Sequence, residues 1–597
     1  MKKFKDVKSL SLTGLMLLFL LLVSCSGNRE VTVKELTNEI KYLSSDALRG
    51  RLTGSPGDSL AAVYIEHKLA SDGFVPVSDD GFQRYKVTKK LVPGPDNSLS
   101  VNGITYTIDK DFMPLAFSSN SGLKSDVIFA GYGFSINNDS IKWDDYKGVN
   151  VKGKWVLILR ADPEPDNNMS PYIDASPDRD KAMLAKDKGA AGVLLVSGPD
   201  FEPKDEFDTL TTSDYFSVGI PVLRIKRAVA DAILSKKATN VASLEKKLNS
   251  SRRPYSFPID ITVDGKAEII REMADTRNVV MMLPGEDPQL KDQYVILGAH
   301  FDHLGMGGPG SGSRALDTIG IHHGADDNAS GVAMMLELAE KFAKTRGSHK
   351  RSIICVAFSG EEEGLLGSKH FVNDPDIDLS KVDVMINMDM VGRLNKENNL
   401  QIGGVGTATG LRDLVLANTD TSVIKLTLSP EGYGPSDHSS FYGKNIPVLF
   451  YFTGAHMDYH TPNDTWEKIN YKGMVEISAL IFKVASELAN EPIKLKFTEA
   501  GPKVEVNRYP RRRMPTLGIM PDFAGVVKNG LRADFVTPGK PAALGGMKKG
   551  DIITAINGKS VNNIQDYMFR MGQLKHGQTI SVEVNRDNKK VVLLIQL

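Results

Sequence analysis

The chain has 597 residues, more than a single domain ordinarily holds. Its 41% hydrophobic and 24% charged residues are ordinary for a folded globular protein. Lys+Arg and Asp+Glu both number 73, so the net charge is zero and the basic surplus of a nucleic-acid-binding chain is excluded. The one short basic run, Arg511-Arg512-Arg513, reads as a solvated linker.

In chain order, Lys2, Lys3, Lys5 and Lys8 precede the apolar run Leu15 to Val23, which has the form of a signal peptide rather than a permanent span. The run ends in Leu22-Val23-Ser24-Cys25, which resembles a bacterial lipobox. That resemblance implies a signal segment over 1–25, lipid on Cys25 and a tether over 26–30. The only other cysteine, Cys355, falls in an apolar run and reads as a buried small hydrophobe, so a lipidated Cys25 leaves no partner for a disulfide. Val31 to Val77 reads as largely helical, with Asp58 as an N-cap and Ala62, Ile65 and Leu69 on one face. Residues 111–258 form a different module. Short β-type runs (Val127 to Phe134, Lys154 to Leu159, Gly192 to Val196, Ile220 to Ile225) alternate with turns, and one helix spans Lys181 to Lys188.

The chemistry lies between His300 and His460. Five clusters follow one another: His300-Phe-Asp302-His303, Asp326-Asp327-Asn328, Glu361-Glu362-Glu363, Met388-Asp389-Met390 and Tyr459-His460-Thr-Pro-Asn-Asp464. Tyr294 to Leu297, Ile353 to Phe358 and Val382 to Met388 read as buried strands, and Ala329 to Lys344 as a helix with Val332, Met335, Leu336, Ala339 and Ala343 on one face. Alternating strand and helix predicts an α/β domain with a mostly parallel sheet flanked by helices. Ligands of such sheets sit beyond the carboxyl ends of the strands, where His300, Glu361, Glu362 and Asp389 fall. Each cluster alone has a plain structural reading: a surface pair, a solvated helix end, a packed strand end. Five in order, three of them at strand ends, point instead to one site. Imidazole and carboxylate donors suit zinc. Five of them exceed what one tetrahedral ion with an open position needs, and fit two ions sharing a carboxylate, with a further carboxylate free to act as base. His303, His322 and His323 read as cleft-lining. Gly403-Gly404-Val-Gly406 lacks the acidic partner and strand context of a dinucleotide loop.

Beyond His460, Gly473 to Asn490 reads as a closing helix and Pro492 to Arg513 as a polar linker. From Met514 a third module begins. Gly550-Asp-Ile-Ile-Thr-Ala-Ile-Asn557-Gly558 predicts a strand ending in a hairpin, and Asn562 to Leu574 a helix.

These motifs resemble the co-catalytic zinc aminopeptidase family of bacterial leucyl aminopeptidases, aminopeptidase Y and plasma glutamate carboxypeptidase. Leu48-Arg49-Gly50-Arg51 and Gly54-Ser-Pro-Gly57 resemble the start of its catalytic domain, so the expected peptidase domain is discontinuous, 31–110 and 259–497, around the 111–258 insert. The resemblance implies two zincs per chain, with His300 and Asp389 on one, Glu362 and His460 on the other, and Asp327 bridging. Asp327 takes that role over Asp326 because it lies four residues before Gly331. Glu361 would be general base, Asp302 would accept the other ring N–H of His300, and Tyr459 would hydrogen-bond the developing oxyanion. It also implies a cis peptide at Asp327–Asn328. The implied reaction removes N-terminal residues from peptides by attack of a hydroxide bridging the zincs; some relatives act as carboxypeptidases or dipeptidases. Ser436-Asp437-His438-Ser-Ser-Phe441 resembles a pocket-lining loop of the family and reads equally well as structural. The insert resembles a protease-associated domain, and residues 514–597 a PDZ domain. There Leu517, Gly518 and Ile519 would form the carboxylate-binding loop for a C-terminal peptide. Two rivals share the fold: a glutaminyl cyclase, whose pocket depends on Trp, and a receptor-like binding protein that has lost zinc ligands. This chain has Tyr459 before His460 and retains all five ligands. The expected setting is a bacterial cell envelope, lipid-anchored, periplasmic or on the outer surface.

Overall fold

The computed structural model describes residues 29–597 except 139, 168, 211–215, 309, 316, 501–514, 522–526, 528 and 538. The signal segment with Cys25 and the Arg511-Arg512-Arg513 run lie outside the described residues. No helix among the described residues is long and apolar enough to cross a membrane. The chain divides into two compact units, one up to Tyr85 plus Asp275–Pro502, the other Lys86–Ala274 plus Lys503–Leu597.

The first unit is built on a mixed sheet whose centre is parallel. Strand Tyr294–His300 lies between Ser352–Phe358 and Val382–Met388, parallel to both, and Val448–Phe452 continues the parallel set beyond Met385–Met388. Antiparallel partners close it: Val279–Leu283 against Ile353–Ala357 on one side, and Gln401–Gly403 against Phe450–Phe452 on the other. The expected mostly parallel sheet is thus its central part, edged by antiparallel strands. Apart from the half-buried Tyr294, the three central strands are buried throughout, as parallel strands covered on both faces must be. Alternate residues serve two cores. Val295, Leu297, Ile353, Cys355 and Ile386 face helices Val33–Leu43, Pro56–Ser71, Gly331–Lys344 and Tyr471–Asn490. Ile296, Ile354, Val356 and Met385 face Phe371 and Phe441 of two short helices. Helix Gly331–Lys344 buries far more than its predicted stripe, including Ala333, Met334 and Leu338, because neighbouring helices surround it. Cys355 is a buried free thiol. The N-cap of helix Pro56–Ser71 is Ser55, whose hydroxyl accepts the Asp58 N–H. The expected cap, Asp58, is instead fully buried, accepting the hydroxyls of Ser359 at 2.6 Å and Thr276 at 2.8 Å. Burial pushes its carboxyl up to about 7.

The second unit holds an eight-stranded sheet with a parallel centre, Ser121–Ala130, Trp155–Leu159, Gly192–Val196 and Val222–Ile225. The first of these strands ends at Ala130, short of the expected Phe134. Helix Asp178–Asp187 covers one face through Ala182, Met183 and Ala185. Helices Arg227–Leu234 and Val241–Ser251, which sequence reading missed, cover the other. The C-terminal module of the same unit has its own sheet. Ile552–Ile556 turns back into Lys559–Ser560 through Asn557-Gly558, both with positive φ, as a type I′ hairpin turn requires. Helix Ile564–Gly572 is capped by Asn563 and buries Ile564, Tyr567 and Met571. Leu517 is buried, Gly518 has φ +73°, and Ile519 opens an edge strand with Met520 and Pro521.

That helix also ties the module to the insert. Arg179 meets the fully buried Asp566 at 2.7 Å, Arg570 pairs with Asp187 at 3.0 Å, and Lys559 reaches Asp187 at 3.2 Å. Phe569 packs on the insert's core and Phe216 on the module's core. Removing one partner of a buried pair leaves the other charge uncompensated, at a cost of roughly 3–5 kcal/mol. Asp566→Ala is therefore expected to destabilise the second unit by about that much in denaturant unfolding, and Arg179→Met combined with Asp566→Leu by less. Equal losses would show that the pair carries no buried charge.

Candidate metal centre

The site forms where the parallel strands end. His300 is the last residue of its strand, Asp389 follows Met388, and Glu361 and Glu362 stand on the turn after Phe358. His460, from the loop beyond Val448–Phe452, has φ +56°. Asp327 lies where helix Gly331–Lys344 begins, and the Asp327–Asn328 peptide is cis, as the resemblance implied. Gly331 must be glycine: a Cβ there would come within 2.3 Å of both Asn328 Oδ1 and the Met388 carbonyl.

Asp327 divides its two oxygens. Oδ1 is 3.3 Å from His300 Nε2, which is 3.5 Å from Asp389 Oδ1. Oδ2 is 3.2 Å from His460 Nε2, which is 3.1 Å from Glu362 Oε2. Zinc bonds of about 2.0–2.2 Å in tetrahedral geometry set donors some 3.3–3.6 Å apart. The four spacings fall at or just under that range. His300 Nε2, His303 Nε2, His460 Nε2 and Asp389 Oδ1 are buried and lack a hydrogen-bond partner among the described residues, which is compatible with a bound cation. The donor set therefore fits zinc.

The imidazoles and carboxylates also shift one another's pKa values. Burial disfavours charge on Asp327, but His300 and His460 outweigh it and hold its carboxyl well below the usual range. Burial likewise pulls His300 down, and Glu361 and Asp389 reverse that, raising it well above the usual imidazole value. His460 is raised to about 10: burial lowers it, and Asp327 and Glu362 more than compensate. Such a concentration of carboxylates asks for positive charge. Glu361 stands apart, 4.0 Å from His300 Nε2. Burial, opposed by His300 and reinforced by Glu362 and Asp389, lifts it well above the carboxylate range.

The surrounding shell is specific. Asp302 faces His300 Nδ1 with its main-chain oxygen at 3.2 Å, its carboxylate standing 3.6 Å off. That carboxylate accepts the N–H of Glu361 at 3.1 Å, the N–H of Glu362 at 3.4 Å and the Thr53 hydroxyl at 2.9 Å. So Asp302 holds the Glu361-Glu362 turn more firmly than the imidazole it was expected to orient. Asp464 Oδ2 accepts the N–H groups of Asp326 and Asp327. Asp326 turns away, accepting the Gly392 N–H and meeting His456, which leaves the site to Asp327. Buried Arg51 donates to the carbonyls of Phe301, Leu43, His323 and Gly324, fastening both ligand loops. Gly50 has φ +71°, and a Cβ there would strike the Gly305 carbonyl at 2.4 Å. Tyr459 stacks on His460 with ring centroids 3.8 Å apart.

Three histidines were read as cleft-lining. His322 is buried against Ser313 and the Gly320 carbonyl, and His323 meets Asp46. His303 is fully buried, its Nδ1 2.6 Å from Glu362 Oε1. Sequence reading missed that contact, although His303 stands three residues beyond His300. Asp437 and His438 are buried; His438 stacks on Phe450 at 4.3 Å, and burial pushes Asp437 up to about 7.

Three families match the chain: Peptidase family M28 over residues 278–485, the PA domain over 113–233 and the PDZ domain over 505–597. Among curated relatives, "Aminopeptidase YwaD" of Bacillus subtilis is 25% identical over 469 residues, covering 76% of this chain and 84% of the relative. "Probable leucine aminopeptidase" of Trichophyton verrucosum is 25% identical over 320 residues, 48% of this chain and 81% of the relative. "Aminopeptidase" of Pseudomonas aeruginosa is 24% identical over 419 residues, 68% and 67% respectively.

Proposed function

We infer, from a chain that carries a peptidase family M28 domain with a PA domain inserted before it and a PDZ domain after it, that the protein is a two-zinc aminopeptidase of the bacterial cell envelope. The observation that carries the two-zinc reading is Asp327, whose oxygens face separate donor sets, His300 with Asp389 and His460 with Glu362. Zinc, when bound, supplies a Lewis acid for the scissile carbonyl and acidifies water. Glu361 takes the proton of the attacking water and passes it to the leaving amine. Asp302 fixes the turn that carries this base, and the Tyr459 phenol donates to the oxyanion that develops on the carbonyl. The substrates are peptides with a free N-terminus. The PDZ domain takes a C-terminal peptide at Leu517, Gly518 and Ile519.

A panel of unblocked, N-blocked and C-blocked peptides with product identification tests the activity. Release of single N-terminal residues from unblocked and C-blocked peptides only is expected; release from the C-terminus overturns the aminopeptidase assignment. No more than one zinc in fully active enzyme defeats the two-zinc reading.

The lipobox-like Leu22 to Cys25 supports a lipid anchor. One acyl chain binds a membrane marginally, whereas several hold it firmly. Cys25→Ser is expected to move the protein out of the membrane fraction, and a mature chain with its N-terminus upstream of Cys25 excludes this anchor.

A further inference from the structure

We propose that His303 is a positioning residue of the metal centre: its Nδ1–H holds Oε1 of Glu362 and so presents Oε2 to the ion shared with His460. The proposal rests on the two-zinc reading. The donor atoms of His303, Asp327 and Glu362 lie within 4.8 Å of one another, so His303 could also be taken for a ligand. The distances decide against Nδ1, the ring nitrogen that faces both carboxylates. Two ligands of one tetrahedral zinc stand some 3.3–3.6 Å apart, as His460 Nε2 nearly does from Glu362 Oε2 at 3.1 Å. His303 Nδ1 is 2.6 Å from Glu362 Oε1, a charge-assisted hydrogen-bond length and too short for two donors on one ion. It is also 3.8 Å from Asp327 Oδ2, too long for a hydrogen bond.

The ring is held in place to do this. His303 is fully buried, and its main-chain N–H donates to the Arg51 carbonyl. Its Cγ and Cδ2 pack against Gly324, where a Cβ would come within 2.5 Å. Glu362 is then fixed at both ends: main-chain N–H on Asp302, carboxylate on His303. Without the imidazole, Glu362 keeps its charge but loses its orientation. Groups that orient metal ligands typically contribute 10–100-fold in metal affinity.

The test uses full-length protein carrying His303→Leu, His303→Asn or no change. Zinc per chain and zinc affinity are measured by competition with a chromophoric chelator, and kcat and KM with a peptide substrate at saturating zinc. His303→Leu is expected to weaken one zinc by 10–100-fold and leave the other unchanged. His303→Asn, which retains an N–H donor but is a poor zinc ligand, is expected to recover most of that affinity. Excess zinc should restore most of the activity of both variants. Unchanged zinc affinity in His303→Leu overturns the proposal, as does His303→Asn falling as low as His303→Leu, which would make His303 a ligand. A wild-type count below two rejects the two-zinc reading separately, since the variants are compared with wild type at whatever count it shows.

Discussion

Asp327→Ala is expected to leave the folded protein with neither zinc tightly held and with activity at background. Each donor set keeps only one imidazole and one carboxylate once Asp327 is gone, because its Oδ1 serves the His300 side and its Oδ2 the His460 side. His300→Ala and Asp389→Ala, by contrast, each remove a donor from a single set and should weaken one ion selectively. The fold should survive, since the loop is held through main-chain groups: the Asp327 N–H on Asp464, and the Asn328 side chain on the Met388 carbonyl and the Gly331 N–H. Elemental analysis after dialysis, with thermal unfolding as control, reads both outcomes. Retention of one full equivalent of zinc in Asp327→Ala would place the bridge elsewhere, and Asp326 would be next to examine.

How much of this was legible in the sequence depends on range. The strands that carry His300, Glu361 and Asp389 are apolar runs that end where chemistry begins, and both ends of that pattern are local. The Asn557-Gly558 hairpin is likewise local, because the turn type demands those residues. Distant partners were not legible. Asp58 looks like a cap in sequence, and only the distant Ser359 and Thr276 draw it inward, leaving Ser55 to cap the helix. His303 read only as cleft-lining because its partner, Glu362, lies 59 positions away. The same limit hid the pairs that Arg179 and Asp187 make with Asp566 and Arg570, 387 and 383 positions apart. Helices Arg227–Leu234 and Val241–Ser251 were missed for a different reason: at 8 and 11 residues they are short, and their apolar stripes gain meaning only against the sheet they cover. Asp302 shows the finest limit. Its place beside His300 was foreseen, but whether its carboxylate or its carbonyl would face the imidazole is a matter of side-chain direction.

Glu361→Gln is expected to retain both zincs and bind substrate normally while losing roughly 10²–10⁴-fold in rate, the usual contribution of a general base. The two adjacent glutamates look alike in sequence but not in the fold. Glu362 sends Oε2 toward His460 and Oε1 to His303, so both its oxygens are engaged. Among the described residues Glu361 makes no such contact; His300 Nε2 stands 4.0 Å from it. Burial, against His300 and with Glu362 and Asp389, raises its pKa. The loss should fall on kcat with little change in KM, because the base works only as the transition state forms. Glu362→Gln should behave in the opposite way: weaker zinc binding, and activity partly restored by added metal. Measuring zinc content beside kcat and KM for the two variants separates the roles. If Glu361→Gln loses zinc while Glu362→Gln keeps both ions, the roles of the two residues are exchanged, and His303 then orients the base rather than a ligand.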